Sequence, residues 1–193
     1  MPGPFNQWLK LFTPRARTKA ANSLYLAIVK QSRLPAFYTS CCVEDTVDGR
    51  FDMIAIHCFL VMNRLKERGD EASRLAQVLF DEMFSDMDRG LRELGVGDMG
   101  VGKRVRAMAK AYMGRVDVYD EAITSADKEA LGEALIRNLY RGTDVPPAIV
   151  SLMASYIMRE NEQLAEQTDE AVLAGKVTFG PAPTPLAAVE GDS

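Results

Sequence analysis

The central part of the chain carries apolar residues at helical spacing around nearly its whole circumference. Phe51, Ile54, Cys58, Val61 and Leu65 follow a three- or four-residue spacing, and further apolar residues fill most of the other positions between them. A helix that is apolar on all sides belongs in the interior of a bundle. The pattern therefore predicts a central buried helix over about residues 50–68.

Two long amphipathic helices are predicted on either side of a glycine-rich turn, over about residues 70–94 and 99–124. The first has two adjacent apolar stripes, formed by Leu75, Leu79, Met83, Met87 and Leu94 and by Phe80, Phe84 and Leu91. The second has one stripe, formed by Val101, Val105, Met108, Tyr112, Val116, Tyr119 and Ile123. Two stripes exceed what one packing contact requires, so we expect part of the first helix to face a partner.

Upstream of the central helix, the spacing predicts a helix over about residues 18–33 that ends before Pro35. The segment 35–52 is predicted to be a long ordered loop, with Asp48 or Asp52 available to cap the central helix.

Downstream, capping residues and prolines predict the other helix boundaries. Gly69 is predicted to close the central helix and Asp70 to cap the next one. A fifth helix with Ile136 among its inward residues is predicted after Ser125 and Asp127, a sixth after Pro146, and a short one over about residues 168–174.

No segment alternates like a β-strand, and no repeat is present at a fixed period. The predicted fold class is all-α, a single-domain bundle of about six to seven helices. We divide the chain into an N-terminal arm (about 1–17), a helical domain (about 18–175) and a Pro/Ala-rich disordered tail (about 176–193).

Composition narrows the functional classes. The net charge of -4 argues against nonspecific nucleic-acid binding as the main role, and specific DNA binding is not expected. The longest apolar run, residues 53–62, is about half of the roughly 20 residues that a bilayer crossing needs. Three cysteines, two of them adjacent, predict no disulfide framework, and the N-terminus lacks a secretory signal pattern. The expected location is cytoplasmic.

The N-terminal arm has an apolar face formed by Phe5, Trp8, Leu9 and Phe12, followed at once by basic residues. This composition suits a helix lying on an anionic membrane surface, with the cations at the headgroups. The alternative is that the arm packs on its own domain.

The glycine turn resembles two phosphate-binding patterns. Gly95, Gly97 and Gly100 match G-x-G-x-x-G, and Gly102 with Lys103 matches the end of a P-loop. Both motifs need a strand before the loop, whereas a helix is predicted here. The turn is therefore predicted to join two helices of a hairpin.

Metal chemistry is not predicted. His57 and Cys58 are neighbours on a helix and point about 100 degrees apart, so the pair does not converge on one site. The acidic residues near the turn lack the Glu-x-x-His pairs of di-metal bundles. We expect His57, the single histidine, to be a core or boundary residue satisfied by one hydrogen bond.

Two stretches resemble a known family. DTVDGRFDMIAIHCFLVMNRL (45–65) and LFDEMFSDMDRGLRELGVGDMGVGKRVRAMAKAYMGRVDVYDEAI (79–123) are similar to the ubiquinol-cytochrome c chaperone family. The resemblance covers about residues 23–172 and suggests a bacterial member. Its motif residues include the predicted loop residues Asp48, Gly49, Arg50, Phe51 and Asp52.

The resemblance implies a non-enzymatic chaperone, without cofactors, that binds cytochrome b during biogenesis of ubiquinol-cytochrome c reductase. It also implies a small accessory assembly protein and contact with the ribosome or an anionic membrane surface, which would make the chain peripheral on the inner face of the cytoplasmic membrane. An alternative function is a haem- or small-molecule-binding helical domain in which His57 or Met87 supplies a ligand.

Two surfaces follow from combining the resemblance with the helical patterns. The predicted client set, an apolar groove with an acidic margin, consists of Phe80, Phe84, Met87, Leu91, Met108, Tyr112, Asp86 and Asp88. The predicted basic surface, which we expect to contact membrane phosphates, RNA or an acidic partner, consists of Lys103, Arg104, Arg106 and Lys110.

Overall fold

Eight helices account for most of residues 13–184, the part of the chain that the computed structural model describes. They are α1 (Pro14–Ser32), α2 (Pro35–Thr39), α3 (Val47–Leu65), α4 (Asp70–Glu93), α5 (Asp98–Thr124), α6 (Lys128–Asn138), α7 (Pro147–Glu166) and α8 (Asp169–Leu173). Residues 13–184 contain no strand, so the all-α prediction is confirmed for this range.

Helix α3 is the centre of the bundle, as predicted. Every residue from 51 to 61 is buried, and the helix packs against α1, α4, α5 and α7. Burying each large apolar side chain of such a helix contributes about 1.5–3 kcal/mol. The other helices pack around α3, because its apolar residues point in every direction and all of them must be buried.

Helix α1 begins earlier than predicted. Thr13 caps it, accepting a hydrogen bond from the Ala16 amide, and residues 14–17 are helical. Arg17, assigned to the arm, forms an ion pair of 2.8 Å with Glu71 on α4. Residues 14–17 therefore belong to the helical domain. The predicted membrane-binding residues Phe5, Trp8, Leu9 and Phe12 lie outside the described residues.

The long loop predicted over 35–52 is wrong. This segment contains α2 and the first turns of α3, and the cap of α3 is Thr46, whose hydroxyl accepts from the Gly49 amide at 3.1 Å. A threonine three residues before a free amide is a strong N-cap. With Thr46 in that position, Asp48 and Asp52 lie inside the helix instead of capping it.

Two smaller predictions are also corrected. Gly69, with φ +90°, is the residue that precedes α4, and Asp70 is the first helical residue, not the cap. Ile136 is 42% exposed, although it was predicted to point inward. Leu131 and Leu135 define the buried face of α6, and a residue one position after Leu135 is rotated by about 100° away from that face.

The predicted disordered tail begins too early. Residues 176–184 lie on the domain: the Phe179 ring meets the His57 ring edge-on at 5.3 Å, and the Gly180 amide donates to Glu160 at 2.8 Å. Glu160 is completely buried, so this hydrogen bond satisfies a carboxylate that water does not reach. The rest of the predicted tail lies outside the described residues.

Candidate functional site

The glycine turn is the closing element of a helical hairpin. Gly95 has φ +80°, its amide donates to the Arg92 carbonyl at 2.9 Å, and the Val96 amide donates to the Leu91 carbonyl at 3.1 Å. These two bonds form a Schellman motif, in which glycine adopts the left-handed conformation at a helix end. A helix enters the turn where a phosphate loop requires a strand, so the hairpin prediction is confirmed.

Aromatic rings hold the two helices of the hairpin together. The Phe80 ring lies 4.7 Å from Phe84 and 5.9 Å from Tyr112, and Phe84 lies 6.2 Å from Tyr112. Tilted and edge-on pairs at these distances contribute about 0.5–1.5 kcal/mol each beyond the burial of area. The contact between α4 and α5 therefore uses part of the wide apolar surface of α4 within the chain.

The predicted client set is divided between the interior and the surface. Phe84, Leu91, Met108 and Tyr112 are buried, whereas Phe80 and Met87 are partly exposed. The structure thus does not place the six apolar members in one open trough. Only Phe80 and Tyr112 contribute to the open groove described next.

A groove of about 700 Å³ opens between the end of α3, the first half of α4 and the second half of α5. We call it the hairpin groove. Its largest apolar lining residues are Phe59, Met62, Leu65, Phe80, Tyr112, Met113 and Val116. The polar side chains around it are Asn63, Lys66, Glu67, Ser73, Gln77, Asp117 and Asp120. An apolar floor with a polar margin is the form of a helix-binding groove.

The sequence reasoning missed most of this groove. Met113, which is 54% exposed, lies outside the apolar stripe of α5, and Met62 is the last residue of the apolar run 53–62 in the predicted central helix. In the structure the Tyr112 hydroxyl donates to the Met62 sulfur at 3.2 Å, which places side chains of α5 and α3 side by side. The exposed methionine on an otherwise polar face was the one available sequence signal.

The acidic members of the client set have partners within the chain. Asp86 accepts from the Tyr25 hydroxyl at 2.7 Å and pairs with Arg89, while Asp88 pairs with Arg92 at 2.6 Å. Burial and the Asp86 carboxylate raise the pKa of Tyr25 well above its ordinary value, so the phenol remains a donor. Asp86 therefore fastens α4 to α1 in addition to any contact with a partner.

The basic surface contains two kinds of residue. Lys103, Arg106 and Lys110 are exposed on one side of α5, and within residues 13–184 none of them lies within 4.0 Å of a carboxylate in a salt bridge. Arg104 differs because it hydrogen-bonds Asp48 on α3 at 3.3 Å. Three cations at successive turns thus remain available to an external anion.

His57 is part of a buried hydrogen-bond chain. The Met53 carbonyl can only accept, so Nδ1 carries the proton and donates to it at 2.7 Å; Nε2 then accepts from the Tyr156 hydroxyl at 2.7 Å. Burial lowers the pKa of His57 to about 4. Both nitrogens are engaged and the ring is neutral, which does not support a haem-ligand role for His57.

Residues 13–184 also hold no cluster of side chains suited to bind a metal ion.

The comparison with family models gives a match over residues 39–179 to the family described as ubiquinol-cytochrome C chaperone. The chain belongs to this family. The matched range includes α3, the hairpin and the hairpin groove, so the family region contains the whole candidate site.

Similar proteins carry related names. A Xenopus laevis ubiquinol-cytochrome-c reductase complex assembly factor 1 is 24% identical over 183 residues, covering 93% of this chain and 86% of the relative. The Homo sapiens protein of that name is 24% identical over 163 residues, and this chain spans 54% of its length. The crystal structure of the Cbp3 homolog from Brucella abortus superimposes with a TM-score of 0.78 at 35% identity, covering 86% of this chain and 92% of that one.

Asp52, one of the predicted family-motif residues at the start of α3, is the buried centre of an ion cluster. Asp52, which is 1% exposed, accepts from Arg115 of α5 at 2.5 Å and from Arg141, in the connection after α6, at 2.8 Å. We call these three residues the Asp52 clamp. Because its residues come from three separate segments, the clamp fixes the position of the hairpin relative to the central helix.

The other motif residues shape the same region. Gly49 cannot be replaced without movement, since a Cβ there would lie 2.1 Å from the Glu44 carbonyl oxygen. Phe51 is buried with its ring 6.5 Å from Phe84 of the hairpin. Arg50 is exposed and pairs with Asp45 at 2.6 Å. The motif therefore joins α3 to the hairpin, with Arg50 as its exposed member.

No helix within residues 13–184 combines the length and the apolar character that crossing a membrane requires.

Proposed function

We propose that this chain is an assembly chaperone for ubiquinol-cytochrome c reductase that binds newly made cytochrome b through the hairpin groove. Membership of the ubiquinol-cytochrome c chaperone family and the assembly-factor names of its relatives support the assembly role. The observation that carries the binding proposal is the apolar floor of the groove, open to solvent beside Met113 and bordered by polar side chains.

The chemistry of the groove suits such a client. A segment of a membrane protein that has not yet been inserted exposes apolar side chains, and these gain about 25 cal/mol per Å² when they are covered. Met62 and Met113 have flexible, polarizable side chains that adapt to different apolar shapes. The polar side chains around the groove interact with water when no client is bound, which limits aggregation through the apolar floor.

Photocrosslinking from the groove tests this function. Crosslinkers placed at Gln77 and Met113 are expected to capture newly synthesised cytochrome b, because both positions border the groove. A crosslinker at Glu129, exposed on α6, is the matched control and is expected to capture none. Equal capture from all three positions, or normal reductase levels in a strain lacking the gene, would contradict the proposal.

The basic surface is proposed to bring the chaperone to an anionic site: membrane headgroups, ribosomal RNA or an acidic accessory protein. The exposed and unpaired state of Lys103, Arg106 and Lys110 supports this role. Association through such a surface weakens with salt, because the Debye length falls from about 10 Å at 0.1 M to about 3 Å at 1 M.

The double substitution Lys103→Glu with Arg106→Glu is expected to weaken binding to anionic vesicles or ribosomes by roughly tenfold at low salt while changing the free energy of unfolding by less than about 1 kcal/mol. Sedimentation with each target measures the first quantity and denaturant unfolding the second. Lys30→Glu with Lys128→Glu reverses the same number of charges on other exposed positions and serves as the control. Equal loss in both variants would show an effect of net charge alone.

A further inference from the structure

Charge is distributed unevenly along the hairpin groove. The Phe80 and Tyr112 rings, 5.9 Å apart, mark its apolar end. The ion pair of Lys66 with Asp120, 2.7 Å long, marks the other end, where α3 finishes beside α5. Asp120 lies two helical turns beyond Met113, a distance of about 10 Å along the helix axis. The groove therefore changes from apolar to charged along its length.

Carboxylates dominate the charged end. Glu67, Asp117 and Asp120 line it, and Lys66 is the one cation among the lining residues. Lys66 is already paired with an anion, because its ammonium group donates a hydrogen bond to Asp120, and this bond raises the pKa of the ammonium group. Within residues 13–184, neither Glu67 nor Asp117 forms a salt bridge at 4.0 Å or less. Neither carboxylate is thus engaged in a salt bridge within the described residues, although Glu67 also contributes to the raised pKa of Lys66.

The adjoining basic surface makes this distribution more pronounced. Lys110, on the same helix, lies two turns before Asp117 and is exposed. Along α5 the exposed charges thus change from positive at residues 103–110 to negative at residues 117–121. A ligand with one charged end encounters opposite potentials at the two ends of α5, so its direction in the groove is selected.

We propose that the hairpin groove recognises an apolar helical segment that ends in lysine or arginine residues, with the apolar part on Phe80, Tyr112 and Met113 and the basic end at Glu67 and Asp117. This inference rests on the proposed function and specifies which part of the client is bound. Segments of this composition occur at the cytoplasmic ends of transmembrane helices, where lysine and arginine are enriched. The site thus distinguishes the basic end of a membrane-spanning helix from its opposite end.

Two fluorescent peptides with the same apolar helical stretch, one ending in lysines and the other in glutamates, test the inference on the full-length chain. At low salt the lysine-ended peptide is expected to bind about fivefold more tightly, since each exposed ion pair contributes a factor of roughly two to five. The double variant Glu67→Gln with Asp117→Asn is expected to lose this preference while still binding the apolar stretch. Fluorescence anisotropy measures both affinities.

The matched control is Glu129→Gln with Glu162→Gln, which removes two exposed carboxylates outside the groove and is expected to keep the preference. Equal binding of both peptides by the unsubstituted chain would overturn the charge inference and leave the apolar groove in place. Binding of neither peptide would overturn the groove as a client site. A dimer that Met113→Glu dissociates would overturn both, because the groove would then be occupied by a second copy.

Discussion

Replacing Asp52 with alanine is expected to lower the free energy of unfolding by about 3–4 kcal/mol, a large part of the stability of a typical domain. The substitution leaves Arg115, whose side chain is 13% exposed, without its counter-charge in a region that water barely reaches. It also removes the shorter of two ion pairs that Arg141 forms with the central helix, so the connection after α6 keeps only the 3.7 Å pair with Asp48. Denaturant unfolding followed by circular dichroism measures the change.

The control for this prediction is Asp45→Ala. Asp45 pairs with Arg50 at a similarly short distance, 2.6 Å, but both side chains are more than half exposed, so the expected loss of stability is much smaller than for Asp52→Ala. If Asp52→Ala cost no more than Asp45→Ala, the clamp would not stabilise the fold. A variant of normal stability that no longer supported reductase assembly would instead assign the Asp52 carboxylate to client binding.

The second large effect concerns pH. His57 has a folded-state pKa of about 4 against an ordinary value of 6.5, so the unfolded chain takes up a proton that the folded chain excludes as the pH falls through this window. Stability conferred by the neutral ring is therefore complete above pH 6.5 and is lost progressively down to about pH 4. Between pH 6.5 and about pH 5 the expected loss is about 2 kcal/mol.

His57→Gln is expected to flatten this pH dependence even though it lowers stability overall. His57 is the single histidine, so no other imidazole contributes to the slope. The measurement is the free energy of unfolding at several pH values between about 5 and 7 for both proteins, where few carboxylates titrate. The same slope in the variant would mean that the buried ring is not the group responsible.

The sequence indicates the surroundings of His57 better than those of Asp52. His57 lies in a run that is apolar on every side, and from that run alone we predicted a core histidine with one hydrogen-bond partner. The structure shows two partners, the Met53 carbonyl one turn earlier and the Tyr156 hydroxyl, which is 99 residues away in sequence. Asp52 lies in the same run, and its position near the start of a helix suggested a capping role. Its actual partners are arginines from two other segments.

The loop predicted over 35–52 failed for a related reason. Pro35 and the polar residues around Asp48 and Gly49 are typical of turns, but a proline is also accepted in the first turn of a helix, and Thr46 caps α3 before the apolar run begins. The local sequence preferences of residues 35–52 are compatible with a loop and with helices. Packing of Phe37 and Phe51 into the core favours the helical one.

The wide apolar surface of α4 shows most clearly what a single sequence leaves open. Its excess apolar residues indicated a contact beyond one helix, and we expected a partner or client there. The structure shows that α1, α3 and α5 all pack against α4 and cover much of this surface. A sequence pattern measures how much apolar area must be covered, and gives no information on whether the cover comes from the same chain.

The sequence by itself determined the all-α class, the central position of α3, the helical hairpin and its glycine turn, because these depend on spacings of one to four residues. Only the tertiary structure decided which apolar residues remain open to solvent in the hairpin groove and which carboxylates lack a cation. Those outcomes depend on contacts between segments tens of residues apart: Asp86 meets Tyr25, Asp52 meets Arg141, and Asp117 meets no cation at all within the described residues. Such contacts are set by how the helices pack, which local spacing does not specify.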